Sequence, residues 1–179
     1  MRIIGGNFRG KKLVAPASLL VRPTTDFAKT GLFNILLNRY DLPEVKVLDL
    51  FSGTGSITYE LLSRGCTKLH AVDRNRDCVN FIRHTLERLR APGSVRVYQS
   101  DALTFLQKNN DVYDIIFADP PFEEEHAEAL LNNIREYKII NPGGLFVLEH
   151  VTGKNYSLLP GFEETRKYGS VSFSFFSVD

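Results

Sequence analysis

The segment VLDLFSGTGSI, residues 47–57, passes from an apolar run through an acid into a glycine-rich turn and the start of a helical pattern. Gly53 and Gly55 let the backbone approach a ligand closely, and the helix that follows begins with N–H groups that have no partner within it. The same strand-then-helix unit recurs along the chain. Strands fit residues 45–50, 69–73, 95–99, 113–118 and 145–149, with helical patterns over 56–63, 75–89, 103–108 and 123–136. Such alternation indicates an α/β fold, a doubly wound and mostly parallel sheet covered on both faces. The tail FEETRKYGSVSFSFFSV, residues 162–178, instead shows two strand-like runs turning at Gly169-Ser170. It reads as a hairpin that closes one edge with an antiparallel strand.

A length of 179 residues suits one domain, and 43% hydrophobic with 24% charged residues is ordinary for a globular protein. No apolar run approaches the roughly 20 residues of a membrane span, and no signal-peptide pattern opens the chain. A cytoplasmic protein is expected. Cys66 and Cys78 have neither metal-site spacing nor a secretory context, so they read as buried or idle thiols and no metal is expected.

The net charge of +1 hides an asymmetry. Residues 1–30 carry Arg2, Arg9, Lys11, Lys12, Arg22 and Lys29 against Asp26 alone, so the remainder of the chain is net acidic. A basic arm on an acidic body points to a polyanion gripped by one region; a solvated charged hairpin is the plainer alternative. The arm itself, MRIIGGNFRGKKLVAP, has two short apolar runs around glycines and reads as a small β-hairpin or β-arm. In RPTTDFAKTGLFNILLNR, residues 22–39, Thr24, Thr25 or Asp26 can cap a helix whose apolar face comprises Phe27, Leu32, Phe33, Ile35 and Leu36. Gly31 inside that helix costs about 1 kcal/mol against Ala, so close packing or a ligand is expected there. The organisation expected is a single domain over 1–179, with the arm over 1–24 and the core over 25–179.

Acids end the strands. Asp49 lies beside the glycine turn, where a carboxylate repels a pyrophosphate and suits a cationic or amine-bearing ligand. Asp73 ends the second strand, where a carboxylate can accept both hydroxyls of a ribose. Asp101 follows the third strand and can accept from an adenine amine. The fourth strand, in YDIIFADPPFEEEH (residues 113–126), stops on Asp119-Pro120-Pro121-Phe122. Two prolines end a ladder and fix the backbone, holding one carboxylate and one aromatic ring at the lip of the sheet. Singly, each acid reads as a turn residue or a helix cap. Together they occupy the edge at which open α/β sheets bind ligands.

DLFSGTG, the acid of VDRN, SDA and DPPF resemble the S-adenosylmethionine-dependent methyltransferases that modify exocyclic amines. MRIIGGNFRGKKL, RPTTD, LFN, ELLSRG and YGSVSFSFF narrow the resemblance to the bacterial RsmD family, which methylates the N2 amine of a guanine in small-subunit ribosomal RNA. The resemblance covers nearly the whole chain. Thr30 departs from it, standing where family members usually carry an acid. The resemblance implies a Rossmann-like methyltransferase sheet, S-adenosylmethionine as cofactor, and ribosomal RNA or the assembling small subunit as partner of a monomer. It implies cofactor contacts from Asp49, Phe51, Gly53 and Gly55 in the first unit, and from Asp73, Asp101, Ala102 and Asp119 in the next three. Arg9, Lys11, Lys12, Arg22 and Thr24 are the candidate RNA contacts.

The chemistry fits these residues independently. The lone pair of a guanine N2 amine is delocalised into the ring, which makes it a poor nucleophile. Asp119 and the Pro120 carbonyl can accept its two N–H bonds and favour a pyramidal nitrogen, so catalysis is chiefly orientation and electrostatics. Phe122 offers a face on which an extruded base can stack, and Pro121 stiffens the element. Competing readings are an adenine-N6 methyltransferase acting on DNA or other RNA, a nicotinamide-dependent oxidoreductase, and a non-catalytic RNA-binding module. Thr58, where a dinucleotide fingerprint wants a third glycine, argues against the oxidoreductase, as does Asp49.

Overall fold

The computed structural model describes residues 1–19, 24–91, 93–121 and 124–178. Five helix–strand steps and a terminal hairpin build one seven-stranded sheet, in the order β3-β2-β1-β4-β5-β7-β6. The strands are β1 (Lys46–Leu50), β2 (Lys68–Asp73), β3 (Val95–Gln99), β4 (Tyr113–Ala118), β5 (Ile140–Val151), β6 (Phe162–Tyr168) and β7 (Val171–Val178). All pairings from β3 through β5 are parallel. β7 runs antiparallel to both β5 and β6, so it alone is reversed in the sheet. The helices are α1 (Asp26–Arg39), α2 (Ser56–Ser63), α3 (Arg76–Arg88), α4 (Ala102–Lys108) and α5 (Glu124–Glu136).

Strand side chains alternate between the two faces, which separates two apolar clusters. Val47, Ile115, Phe117 and Val147 join α1, α2 and α3 on one face, while Leu48, Ile116, Ala118 and Leu148 meet α4 and α5 on the other. β5 is longer than its apolar run indicates. It starts at Ile140, and the register slips between the Tyr113–Ile140 and Ile115–Leu145 pairs, so Asn141-Pro142-Gly143 bulges inside the strand. Read as sequence, that triplet is a turn.

The arm forms a single antiparallel bridge, Arg2 to Lys12, rather than a regular hairpin. Ile3 and Leu13 nevertheless insert into the cluster on the α1–α2 face. The rest of the arm is spent on helix α2. Ser63 Oγ accepts from Phe8 N (2.8 Å) and donates to Gly5 O (2.5 Å), and Asn7 N donates to Ser63 O (2.6 Å). Gly6 lies so close that a Cβ there would sit 1.8 Å from Ser63 O. Beneath this lies a buried ion pair, Lys29 Nζ to Glu60 Oε1 at 3.1 Å. Glu60 also accepts from Ile4 N (2.7 Å) and Arg64, and Lys29 donates to Arg2 O (2.5 Å).

Helix α1 is capped by Thr25, whose hydroxyl accepts from Ala28 N at 3.2 Å. Leu32, Phe33 and Leu36 are buried as expected. Phe27 is not: it is 68% exposed and meets the Tyr168 ring edge-on at 5.6 Å. Tyr168 also explains Gly31, where a Cβ would lie 2.0 Å from its ring. The missing side chain serves packing of α1 against β6. Thr30 turns its hydroxyl back to Asp26 O (2.8 Å).

Candidate active site

The carboxyl ends of β1 to β4 converge on one edge. After β1 the chain turns at Phe51 (φ 58°), Gly53 (φ 52°) and Gly55 (φ 85°) before entering α2. Asp73, at the end of β2, ties this turn down. Its Oδ2 accepts from Gly53 N (2.7 Å) and its Oδ1 from Asn75 N (2.8 Å). Each carboxylate oxygen has a second lone pair, so the two hydrogen bonds orient the group and leave acceptors for a diol. Asp101 caps α4 through Oδ1, accepting from Thr104 N at 3.0 Å, while its residue still lines the cleft. The plainer reading of Asp101 thus describes one of its oxygens. Phe51, Asp73, Ser100, Asp101, Ala102 and Pro121 bound one cleft that opens to solvent. Ser56, the first residue of α2, has a buried hydroxyl oxygen with no hydrogen-bond partner among the described residues.

Asp49 lies beneath the turn, 1% exposed, and accepts from Thr58 Oγ1 at 2.5 Å. Thr58 thus occupies the fingerprint's missing glycine position with a hydroxyl that the buried acid uses. Burial pushes Asp49 up to about 7, the Thr58 hydrogen bond opposes this, and the charges of Asp119 and Asp73 add to it.

Asp119 follows β4 and remains partly exposed at the lip, with Pro120 buried and Pro121 exposed beside it. Its carboxyl is raised well above the usual carboxylate range by burial. Phe122 and Arg22, assigned to stacking and to RNA, lie outside the described residues. Thr24 is described, and its hydroxyl donates to Glu149 Oε2 at 3.0 Å. Glu149, 5% exposed on β5, was not singled out from the sequence: an acid near the end of the run LFVLEHV acquires meaning only beside its neighbours in the sheet. Arg9, Lys11 and Lys12 are exposed, with Lys11 Nζ over the Phe8 ring at 4.9 Å. Arg2 and Lys29 are committed instead to Asp26 and Glu60. Met1 lies by Thr54 at the glycine turn and the arm's tip lies by Ser63, so the exposed cations follow the length of α2.

Replacing Asp73 by Ala is expected to weaken S-adenosylmethionine binding by about 1–3 kcal/mol, through loss of charge-assisted acceptors for the ribose. Calorimetry checks this, and unchanged affinity would leave Asp73 as a turn residue that only holds Gly53.

Residues 1–177 match the family described as conserved hypothetical protein 95. Ribosomal RNA small subunit methyltransferase D of Escherichia coli (strain K12) is 35% identical over 136 residues, 76% of this chain and 67% of that protein. The protein of the same name from Haemophilus influenzae (strain Rd) is 32% identical over 168 residues, 89% of this chain and 86% of that one. Among solved structures, a hypothetical protein of Thermus thermophilus superposes with a TM-score of 0.85 at 28% identity, covering 99% of both chains. A family match over almost the full chain, with relatives above 30% identity, makes the chain a member of the conserved hypothetical protein 95 family, the one that contains the RsmD proteins.

Proposed function

We propose that the protein is an S-adenosylmethionine-dependent methyltransferase acting on the exocyclic N2 amine of a guanine in small-subunit ribosomal RNA. The observation that carries this reading is the placement of Asp49, Asp73, Asp101 and the Asp119-Pro120-Pro121 element along the carboxyl ends of β1 to β4, where Asp73, Asp101 and Pro121 line one cleft. The names of the relatives support the substrate class. The protein acts in the cytoplasm as a monomer, on ribosomal RNA or the assembling subunit.

The residues present fit the cofactor. Asp73 and Asp101 offer acceptors for the ribose and the adenine amine, Phe51 and Leu103 offer apolar walls, and the unpartnered Ser56 hydroxyl stands where α2 begins. When bound, the cofactor supplies an electrophilic methyl on a sulfonium. Asp119 and the Pro120 carbonyl accept the two N–H bonds of the amine and aim its lone pair outward. Transfer of that methyl to the nitrogen would leave the C–S electron pair on sulfur. The nitrogen proton leaves afterwards, to the Asp119 carboxylate or to water. Rigidity comes from the prolines: Pro120 is buried and Pro121 packs at the cleft, so the acceptors are set before the base arrives.

The reading is tested by radiolabelled methyl transfer to ribosomal RNA, small subunits and DNA from cells lacking the protein, with identification of the product nucleoside. N2-methylguanosine in ribosomal RNA is expected; N6-methyladenine, or no transfer, would overturn it. The arm adds a second expectation. If Arg9, Lys11 and Lys12 contact phosphates, RNA affinity falls steeply with salt through counterion release. The Lys11→Ala/Lys12→Ala variant should then show a slope of log K against log [salt] shallower by about 0.7–0.9 per contact removed. Its cofactor affinity should not change. Parallel slopes for variant and wild type would make the arm an ordinary charged surface.

A further inference from the structure

β4 and β5 pair in parallel, with Phe117 opposite Val147 and Ala118 opposite Leu148. The next residue of each strand is an acid, Asp119 and Glu149, so the two stand side by side on the face that Phe117 and Val147 share. Asp49, the partner of Phe117 on β1, is the third acid on that face. Glu149 is flanked on its other side by Phe173 of β7 and covered by Thr24 of the segment before α1. Lys29 of α1 and Arg64, the residue after α2, are both engaged by Glu60, and Lys154 and His150 line a pocket with Glu149, Pro120 and Pro121. Among the described residues, no Lys, Arg or His forms an ion pair with Asp49, Asp119 or Glu149.

Two neighbouring carboxyls with no ion-pair partner among the described residues, one of them almost fully enclosed, do not both ionise readily, so the pair retains a proton. We infer that Glu149 is a positioning residue of the methyl-transfer site: it holds the proton of the Asp119–Glu149 pair and thereby leaves Asp119 as the ionised acceptor for the amine. This rests on the role of Asp119 proposed above. Enclosure decides which partner is neutral. Glu149 is 5% exposed whereas Asp119 reaches the lip, and the charged form belongs where water and the substrate can reach it. Burial raises Glu149 first, the charge of Asp119 adds to it, Thr24 opposes it, and Asp49 adds a smaller share. The Thr24 hydroxyl donates to one oxygen of Glu149, which leaves the other free to carry the proton.

The test is carbon NMR titration of the carboxyl groups in protein labelled at Asp Cγ and Glu Cδ, without RNA. Asp119 should titrate below Glu149 in the wild type. Asp119→Asn should lower the Glu149 midpoint by about one pH unit or more, and Glu149→Gln should abolish the upper step. An unmoved Glu149 midpoint in Asp119→Asn, or the reverse order of titration, overturns the inference. In methyl transfer to ribosomal RNA, Glu149→Gln, which mimics the protonated acid, should exceed Glu149→Ala by about tenfold or more. Equal rates in two equally stable variants overturn it as well. Failure of the wild type to methylate ribosomal RNA would instead sink the proposed substrate and leave the titration result standing.

Discussion

Asp119→Ala is expected to slow methyl transfer by roughly 10²–10³-fold, about 3–4 kcal/mol of transition-state stabilisation. The acceptor matters most as the nitrogen acquires positive charge, so the loss should fall on the chemical step. Cofactor affinity should change little, because Asp73 and Asp101, the acceptors proposed for the ribose and adenine, stand on other strands. Single-turnover kinetics at saturating RNA separate the two effects. A near wild-type rate in the variant would assign Asp119 to structure and leave the amine without its proposed acceptor.

The second large effect is on stability. Lys29 is 1% exposed and Glu60 fully enclosed, so Lys29→Met removes the ammonium from a carboxylate that water cannot reach. Arg64 still faces Glu60, which places the expected cost at about 3 kcal/mol, the low end for breaking a buried pair. For a chain of this size that lowers Tm by roughly 6–12 °C. Pairing the change with Glu60→Gln should recover part of the loss, because the stranded charge is gone. Thermal denaturation of the two variants decides this, and an unchanged Tm for Lys29→Met would show that Arg64 alone satisfies Glu60.

The alternation of strands and helices was legible in the sequence because each element carries its own period, and the observed strands begin within a residue of the expected ones except at β5. There, Asn141-Pro142-Gly143 punctuates the sequence like a turn, and only the pairing of Ile140 with Tyr113 keeps it in the sheet. Phe27 fits the apolar stripe of α1 by spacing, but spacing does not report that its ring stays exposed against Tyr168 of β6. The strand-end acids were legible because each adjoins a local marker: a glycine turn, a helix start or a proline pair. Glu149 has no such marker, and the fingerprint spacing that singles out Thr58 does not show what its hydroxyl binds. Glu149 depends on lying opposite Asp119 across two strands, and Thr58 on lying under Asp49 one turn into α2, relations that exist only once the sheet has assembled.

The attachment of the arm bears on how it can be engineered. Its backbone ends in Ser63 and Glu60, its Ile3 and Leu13 fill space between helices, and Lys29 neutralises the acid beneath it. Cutting it away would therefore open a hole and uncover a charge, and pasting residues 1–16 onto another methyltransferase would give a loose peptide. A successful graft must carry a matching receptor: a serine and a glutamate three residues apart on the second helix, and a lysine on the first.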